Sequence, residues 1–344
     1  MDLGRGTFGS VIAKDGRAIK QFRQIDHLIQ EVFMTLYMND SPYTIKILGY
    51  KFETLTMETE LWKTSLRTAI RKFEFSQEEK LRIFRELLCG MCHCQSRHVT
   101  HSDFKPSNIL IDPSTAHVCI ADFGLTSTHK YAKTAQTAPG YSPLVPAAHG
   151  VHDMFGFVIT MTELFGDIRF TERVTARKLR QIIDRNVGDR HIAKVLKSMC
   201  PDVSENASTP SEILKTLFNE TAALPLELPK TFKSTLSPEI HKYLHDTIQF
   251  ATNAAGIERG YRCYQCLVHY LDNPDNDKVD TYQYPLYIGV MMMIFSAIFG
   301  TPGFRINEVK RLTKGRFSSA DVYRVLYNLF RDTNMMKLAM MPSI

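Results

Sequence analysis

The residue types able to do chemistry are concentrated in two short stretches. His101-Ser102-Asp103-Phe104-Lys105-Pro106-Ser107-Asn108 offers a carboxylate, an ammonium and a carboxamide, and Asp122-Phe123-Gly124 follows fourteen residues past Asn108. A positioned carboxylate can accept a hydroxyl proton. Carboxylate and amide oxygens can hold a hard divalent cation, and a lysine can face a moving phosphate. These are the requirements of phosphoryl transfer. A polar turn plus a capping aspartate is the bland alternative, and it does not account for all the groups in this order.

Upstream, Gly4-Arg5-Gly6-Thr7-Phe8-Gly9-Ser10-Val11 spaces glycines so that a turn can bring N–H groups up to phosphate oxygens. Rossmann turns and plain hairpins share this pattern. A Rossmann turn needs a strand before its first glycine and a helix after its last. Only three residues precede Gly4, and β-like Ser10-Val11-Ile12 follows Gly9, so a hairpin over phosphate fits better. Lys20, in Arg17-Ala18-Ile19-Lys20, falls on the next strand, either solvated or holding phosphate. Glu31 is the one glutamate of the following helix and can pair with Lys20.

The elements that must position these groups follow from periodicity. Thr7 to Ile12, Gly16 to Phe22, Thr44 to Phe52 and Glu53 to Met57 read as strands, interrupted by an amphipathic helix over Ile25 to Met38. Gln77 to Cys94 is a long periodic helix. Two β-like runs follow at Asn108 to Ile111 and His117 to Ile120, and helices resume from about Asp153 to Phe218. A strand-rich lobe followed by a helical one is an α+β arrangement with a cleft between the lobes. Pro225 and Pro229 mark a semi-stiff connector over 221–234. Beyond it, five helices are expected at Pro238–Ala255, Glu258–Leu271, Pro285–Phe299, Ile306–Thr313 and Ser319–Phe330, forming a second, all-α domain over 235–344.

Composition narrows the class further. The 344 residues are 44% hydrophobic and 23% charged, ordinary values that exclude disordered, collagenous and low-complexity chains. A net charge of +6 is too mild over this length to imply direct nucleic-acid binding. The longest apolar run, Leu286 to Phe299, has 14 residues, against about 20 for a bilayer, so no membrane partner is expected. The start Met1-Asp2-Leu3-Gly4 does not read as a secretory signal, and seven cysteines suggest reduced thiols in an intracellular setting, cytoplasmic or nuclear. Cys89-x-x-Cys92 and Cys263-x-x-Cys266 have zinc-like spacing. They lie inside core-like helices separated by 170 residues, so buried thiols are the better reading.

Together, the segments over residues 1–220 resemble a eukaryotic-type serine/threonine protein kinase, closest in texture to the cyclin-dependent group. The resemblance implies a bilobal protein kinase fold, ATP and Mg²⁺ as cofactors, and protein substrates. Carried over motif by motif, Asp103 is the catalytic base, Lys105 contacts the γ-phosphate, and Asn108 and Asp122 bind Mg²⁺. Gly4, Gly6, Gly9 and Val11 cover ATP, and Lys20 anchors its phosphates with Glu31 as partner. In Leu55-Thr56-Met57-Glu58-Thr59-Glu60, Met57 is the gatekeeper, and the backbone of Glu58 and Glu60 meets adenine. Lys105, two residues after Asp103, fits the serine/threonine pattern.

Three positions depart from the family. Ser102 replaces the arginine that clamps a phosphorylated activation loop. Ser142-Pro143-Leu144 replaces Ala-Pro-Glu, and Thr209-Pro210 stands where its arginine partner is usual. Only ten residues separate Lys20 from Glu31, a short interval for the family.

Residues 235–344 bear a softer resemblance to a cyclin box. It is carried by Tyr261 to Asp272, Pro285 to Phe299, Ile306 to Leu312 and Phe317 to Val322, with Pro342 where a box often ends. The end of the central helix, Ser296-Ala297-Ile298-Phe299-Gly300, lacks the charged residues cyclins often use. A generic dimerisation or substrate-docking bundle fits the same pattern. The cyclin reading implies docking of this domain on the kinase lobe and activation in cis. A pseudokinase scaffold or interaction module and a small-molecule kinase are the competing functions, and the compact texture suggests a large DNA virus.

Overall fold

The computed structural model describes residues 2–6, 8–126, 140–141, 151–200, 207–221, 234–252, 257–273, 279–299 and 304–340. Thr7, Thr128, Thr134, Thr137, Ser142-Pro143-Leu144, Gly300, Pro342 and the connector between Thr221 and Ser234 lie outside the described residues.

Five antiparallel strands open the chain: β1 (Asp2–Arg5), β2 (Gly9–Lys14), β3 (Arg17–Phe22), β4 (Ile47–Lys51) and β5 (Thr56–Glu60). Their spatial order is β1-β2-β3-β5-β4. Asp15-Gly16, both at positive φ, closes the β2–β3 hairpin as an Asp-Gly pair should. β1 was not expected; its four residues are all exposed, so no apolar alternation marks it. β5 begins three residues later than the sequence suggests. Leu55, at φ 52°, donates its N–H to the Phe52 carbonyl at 3.4 Å, and this turn takes up Glu53 to Leu55.

Helix α1 (Ile25–Tyr37) lies between β3 and β4, burying Leu28, Ile29, Val32, Phe33 and, among these apolar neighbours, Glu31. The larger lobe contains α2 (Leu66–Lys72), α3 (Gln77–Ser96), α4 (Val151–Gly166), α5 (Ala176–Asn186), α6 (Arg190–Met199) and α7 (Pro210–Phe218). A small sheet of β6 (Thr64–Ser65), β7 (Ile109–Asp112) and β8 (His117–Ile120) carries the Asp103 and Asp122 segments at its ends. Ser76 and Glu79 start α3 with a reciprocal capping box. The lobes meet where Ile120 exchanges backbone hydrogen bonds with Tyr43 and Ile45 at 2.8 and 2.9 Å.

α4 is buried on nearly every face and runs directly beneath the Asp103 segment. A Cβ on Gly156 would come within 2.4 Å of the Phe104 carbonyl oxygen. Gly156→Ala must therefore push the segment away from α4. The expected cost is about 1–3 kcal/mol of stability, read as a lower unfolding temperature, together with reduced activity.

Among the described residues six helices, not five, follow over 238–339: α8 (Pro238–Thr252), α9 (Ile257–Leu271), α10 (Tyr284–Ile298), α11 (Ile306–Leu312), α12 (Ser319–Arg331) and α13 (Thr333–Ala339). The additional α13 is only two turns long. It is started by Asp332, whose carboxylate accepts the N–H groups of Asn334 and Met335 at 3.0 and 2.9 Å. α10 is central and almost wholly buried, flanked by α8, α9, α11 and α12, and it also lies against α1. Beside that contact, Phe330 of α12 packs on Phe33 and Phe52 with ring centroids 5.8 and 5.4 Å apart, and Tyr327 stacks on Tyr50 at 5.5 Å. The Tyr327 hydroxyl accepts the Phe52 N–H at 3.2 Å. No helix among the described residues is long and apolar enough to cross a membrane.

Candidate active site

The register of β3 against β5 puts Lys20 opposite Met57, which is buried, and β2 puts Val11 beside Lys20. From this strand the Lys20 ammonium reaches both oxygens of Glu31, at 2.7 and 2.6 Å, and Oδ1 of Asp122 at 2.9 Å. The short interval between Lys20 and Glu31 is therefore no obstacle, because α1 begins three residues after β3 and Glu31 lies two turns along it. Burial and the neighbouring Asp122 charge push the Glu31 carboxyl up to about 7, partly offset by Lys20. Burial alone would lower the Lys20 pKa, but the Asp122 and Glu31 carboxylates outweigh it and hold the ammonium charged. Burial likewise opposes ionisation of Asp122, and here Lys20 prevails and lowers it. The three groups form one charge cluster, with Glu31 buried and Lys20 and Asp122 partly exposed.

Gly124 is required for this cluster. A Cβ there would approach Oε2 of Glu31 to 2.8 Å. Asp122 itself adopts the left-handed region at φ 66°, which aspartate tolerates, and this turns its carboxylate toward Lys20. Phe123 is fully buried, its ring 5.2 Å from that of His101. His101 Nε2 lies 2.9 Å from the Ala121 carbonyl and Nδ1 accepts the Asp103 N–H at 3.3 Å, a pairing that puts the imidazole proton on Nε2.

Asp103 receives the ammonium of Lys105 at 2.6 Å and the amide nitrogen of Asn108 at 2.8 Å on the same oxygen, Oδ2. Asn108 also donates to the Asp103 carbonyl at 3.0 Å. With its nitrogen committed, Asn108 has Oδ1 left as its acceptor. That oxygen and the partly exposed Asp122 carboxylate are hard donors suited to Mg²⁺. No group of three acidic, His or Cys side chains that could hold a metal alone occurs among the described residues.

The residues expected to meet adenine make contacts of their own within the sheet. Glu58 turns its carboxylate to Arg17 at 2.6 Å, and Glu60 accepts the Trp62 indole N–H at 3.0 Å. The Glu60 N–H already donates to the Lys46 carbonyl at 3.2 Å, because the pairing of β5 with the β4 side extends to the end of the strand. This donor is engaged rather than turned to a base. Gly4 lies in β1 and Gly9 opens β2, and Gly6, in the turn between them, donates its N–H to the Gly9 carbonyl at 2.8 Å.

Two acids that the motifs did not single out support the site. Asp153, at the start of α4, accepts the N–H groups of His101 and Ser102 at 2.6 and 2.8 Å and so fixes the backbone before Asp103. Glu163, buried on the same helix, accepts the Tyr141 hydroxyl at 2.6 Å and the Phe170 N–H at 2.8 Å, with Arg67 at 3.7 Å. Ser102 carries no charge, and the nearest tie from α1 to this region is neutral. Gln30 donates its amide to the Thr126 carbonyl at 3.2 Å.

Residues 1–225 match the family model described as protein kinase domain. Serine/threonine-protein kinase L673 of Acanthamoeba polyphaga mimivirus is 35% identical over 136 residues, covering 36% of this chain and 25% of the relative. Mitosis inducer protein kinase cdr2 of Schizosaccharomyces pombe is 31% identical over 71 residues, covering 21% of this chain and 9% of the relative. Serine/threonine protein kinase OSK3 of Oryza sativa subsp. indica is 34% identical over 76 residues, 21% of this chain and 15% of the relative. The chain thus spans a quarter or less of the length of these curated relatives.

Proposed function

The chain belongs to the protein kinase domain family, and on that premise we propose that it transfers the γ-phosphoryl group of ATP to serine or threonine hydroxyls of protein substrates. The observation that carries this reading is the Lys20 ammonium bound at once to Glu31 and Asp122, beside an Asp103–Lys105–Asn108 group. Lys20 would hold the ATP phosphates. Asp103 would orient the acceptor hydroxyl and take its proton, and Lys105 would shield the charge that builds on the transferred group. Asn108 Oδ1 and Asp122 would hold Mg²⁺, which when bound neutralises the phosphates. The seven unpaired cysteines suit a reducing intracellular compartment.

Cis activation by a cyclin-like domain over 235–344 is part of the same proposal. α10 and Phe330 lie on α1, the helix that must deliver Glu31 to Lys20. A pseudokinase scaffold is the second reading, favoured by Ser102 and by the engaged Glu60 N–H. Full-length protein given labelled ATP, Mg²⁺ and a protein acceptor separates the two. Transfer to serine or threonine is expected, and ATP binding without transfer would leave the scaffold.

The neutral Gln30–Thr126 tie leads to a second expectation. A phosphate on Thr128, Thr134 or Thr137 would lack the arginine that usually receives it at the Ser102 position. Alanine at all three threonines together should leave activity near wild type in the same assay. A triple variant that binds ATP but is inactive would mean that another basic residue reads a phosphate there.

A further inference from the structure

We propose that the first turn of α1 is the seat of the glycine-rich turn, and that Arg305 holds this seat through Asp26, making His27 and Arg305 positioning residues for the ATP phosphates. The inference rests on the ATP reading of the glycine turn above.

The glycines of the β1–β2 turn allow its N–H groups to approach phosphate, but the same freedom leaves the turn little rigidity of its own. Among the described residues, its ties to the chain beyond β2 are at Phe8. The Phe8 carbonyl accepts the Arg23 N–H at 3.2 Å, and the Phe8 ring packs on the imidazole of His27 with centroids 4.5 Å apart and planes tilted by 58°. His27 stands in the first turn of α1, and among the described residues its Nδ1 is buried without a hydrogen-bond partner. An imidazole kept for polar pairing would not leave that nitrogen bare. Its aromatic face is what the fold uses. Burial lowers the His27 pKa, and Arg305 and Lys20 add to this against the pull of Asp26, so the ring that meets Phe8 is neutral.

The seat is tied from the other side. Asp26, the residue before His27, lies 2.9 Å from the Arg305 guanidinium, which starts α11 in the C-terminal helices. A continuous set of contacts therefore runs from Arg305 through Asp26 and His27 to Phe8, where the turn enters β2. A turn fixed there keeps the phosphate-facing N–H groups in place before the nucleotide arrives, so less order has to be created on binding.

The test uses full-length protein and a fluorescent ATP analogue, which requires no phosphoryl transfer, with adenosine as the phosphate-free comparison. His27→Ala should weaken analogue affinity by about three- to tenfold, the range of an aromatic contact. Arg305→Ala should weaken it by about two- to fivefold, as expected for a largely exposed ion pair, with Arg305→Lys recovering part of the loss. Adenosine affinity should not change. Asp26→Asn combined with Arg305→Ala should be no worse than either alone, since both break one link. In steady-state assays the losses should fall on KM for ATP rather than on kcat or the acceptor KM. Unchanged analogue affinity in both alanine variants, or an equal loss for adenosine, would overturn the seat. No analogue binding by the wild type would overturn the ATP reading itself.

Discussion

Asp103→Asn is expected to lower phosphoryl transfer by at least about 10²-fold, the lower end for losing a general base, with ATP affinity little changed. The substitution keeps the shape of the side chain. It removes the only proton acceptor of the group, and it can turn an amide toward the Lys105 ammonium that the carboxylate now holds at 2.6 Å. Lys105 would lose its partner and shift from the path of the phosphate, which adds to the loss. Lys20 is held by Glu31 and Asp122, neither of which the substitution changes, so the hold on the nucleotide should persist. Transfer is measured with labelled ATP and affinity with a fluorescent analogue. Wild-type transfer by Asp103→Asn would sink the assignment of Asp103. A parallel loss of nucleotide affinity would mean that the variant has disturbed the fold around Ala121.

The legibility of this site depended on how its residues are spread along the chain. Asp103, Lys105 and Asn108 occupy six consecutive positions, so the pattern that brings them together is local and readable. Lys20, Glu31 and Asp122 are scattered, yet each sits in a motif whose order is informative. Asp153 and Glu163 were not legible. They are isolated acids ten residues apart in one apolar helix, and the role of each comes from distant partners, the backbone at His101 and Ser102 for one and Tyr141 for the other. The bond from the Glu60 N–H to the Lys46 carbonyl was not legible either, because motif position says nothing about how far the β4–β5 ladder extends. Among the elements, β1 lacked an apolar face and α13 lacked length, so neither left a periodic signal. The aromatic contact of Phe330 and Tyr327 with the first sheet was invisible for a different reason. Nothing in a helix's own periodicity says which of its buried residues face another segment.

That contact is where the second large effect is expected. Phe330 is almost fully buried against Phe33 of α1 and Phe52 beyond β4, and α10 runs beside α1. Phe330→Ala removes a ring from a close-packed site, a change that typically costs about 3–5 kcal/mol. Part of that cost falls on the attachment of α12 to the sheet and α1. α1 has to hold Glu31 where Lys20 meets it, at the expense of burying a carboxylate whose ionisation the surroundings disfavour. A helix that buries such a charge gains from being held from outside, and loosening the hold lets Glu31 move toward water and leave Lys20. If cis activation operates, Phe330→Ala should lower transfer by at least about tenfold, since each 1.4 kcal/mol shifts a population tenfold. Phe330→Leu, which refills most of the volume, should recover much of it. Thermal unfolding of each variant separates loosening from loss of fold. Shortening the chain to 1–220 should reproduce the loss, and adding 235–344 as a separate piece should partly restore the rate. Equal rates in full-length Phe330→Ala, the shortened chain and the wild type would mean that Glu31 needs no outside support. The helices over 238–339 would then serve to dock substrate or a second copy of the chain.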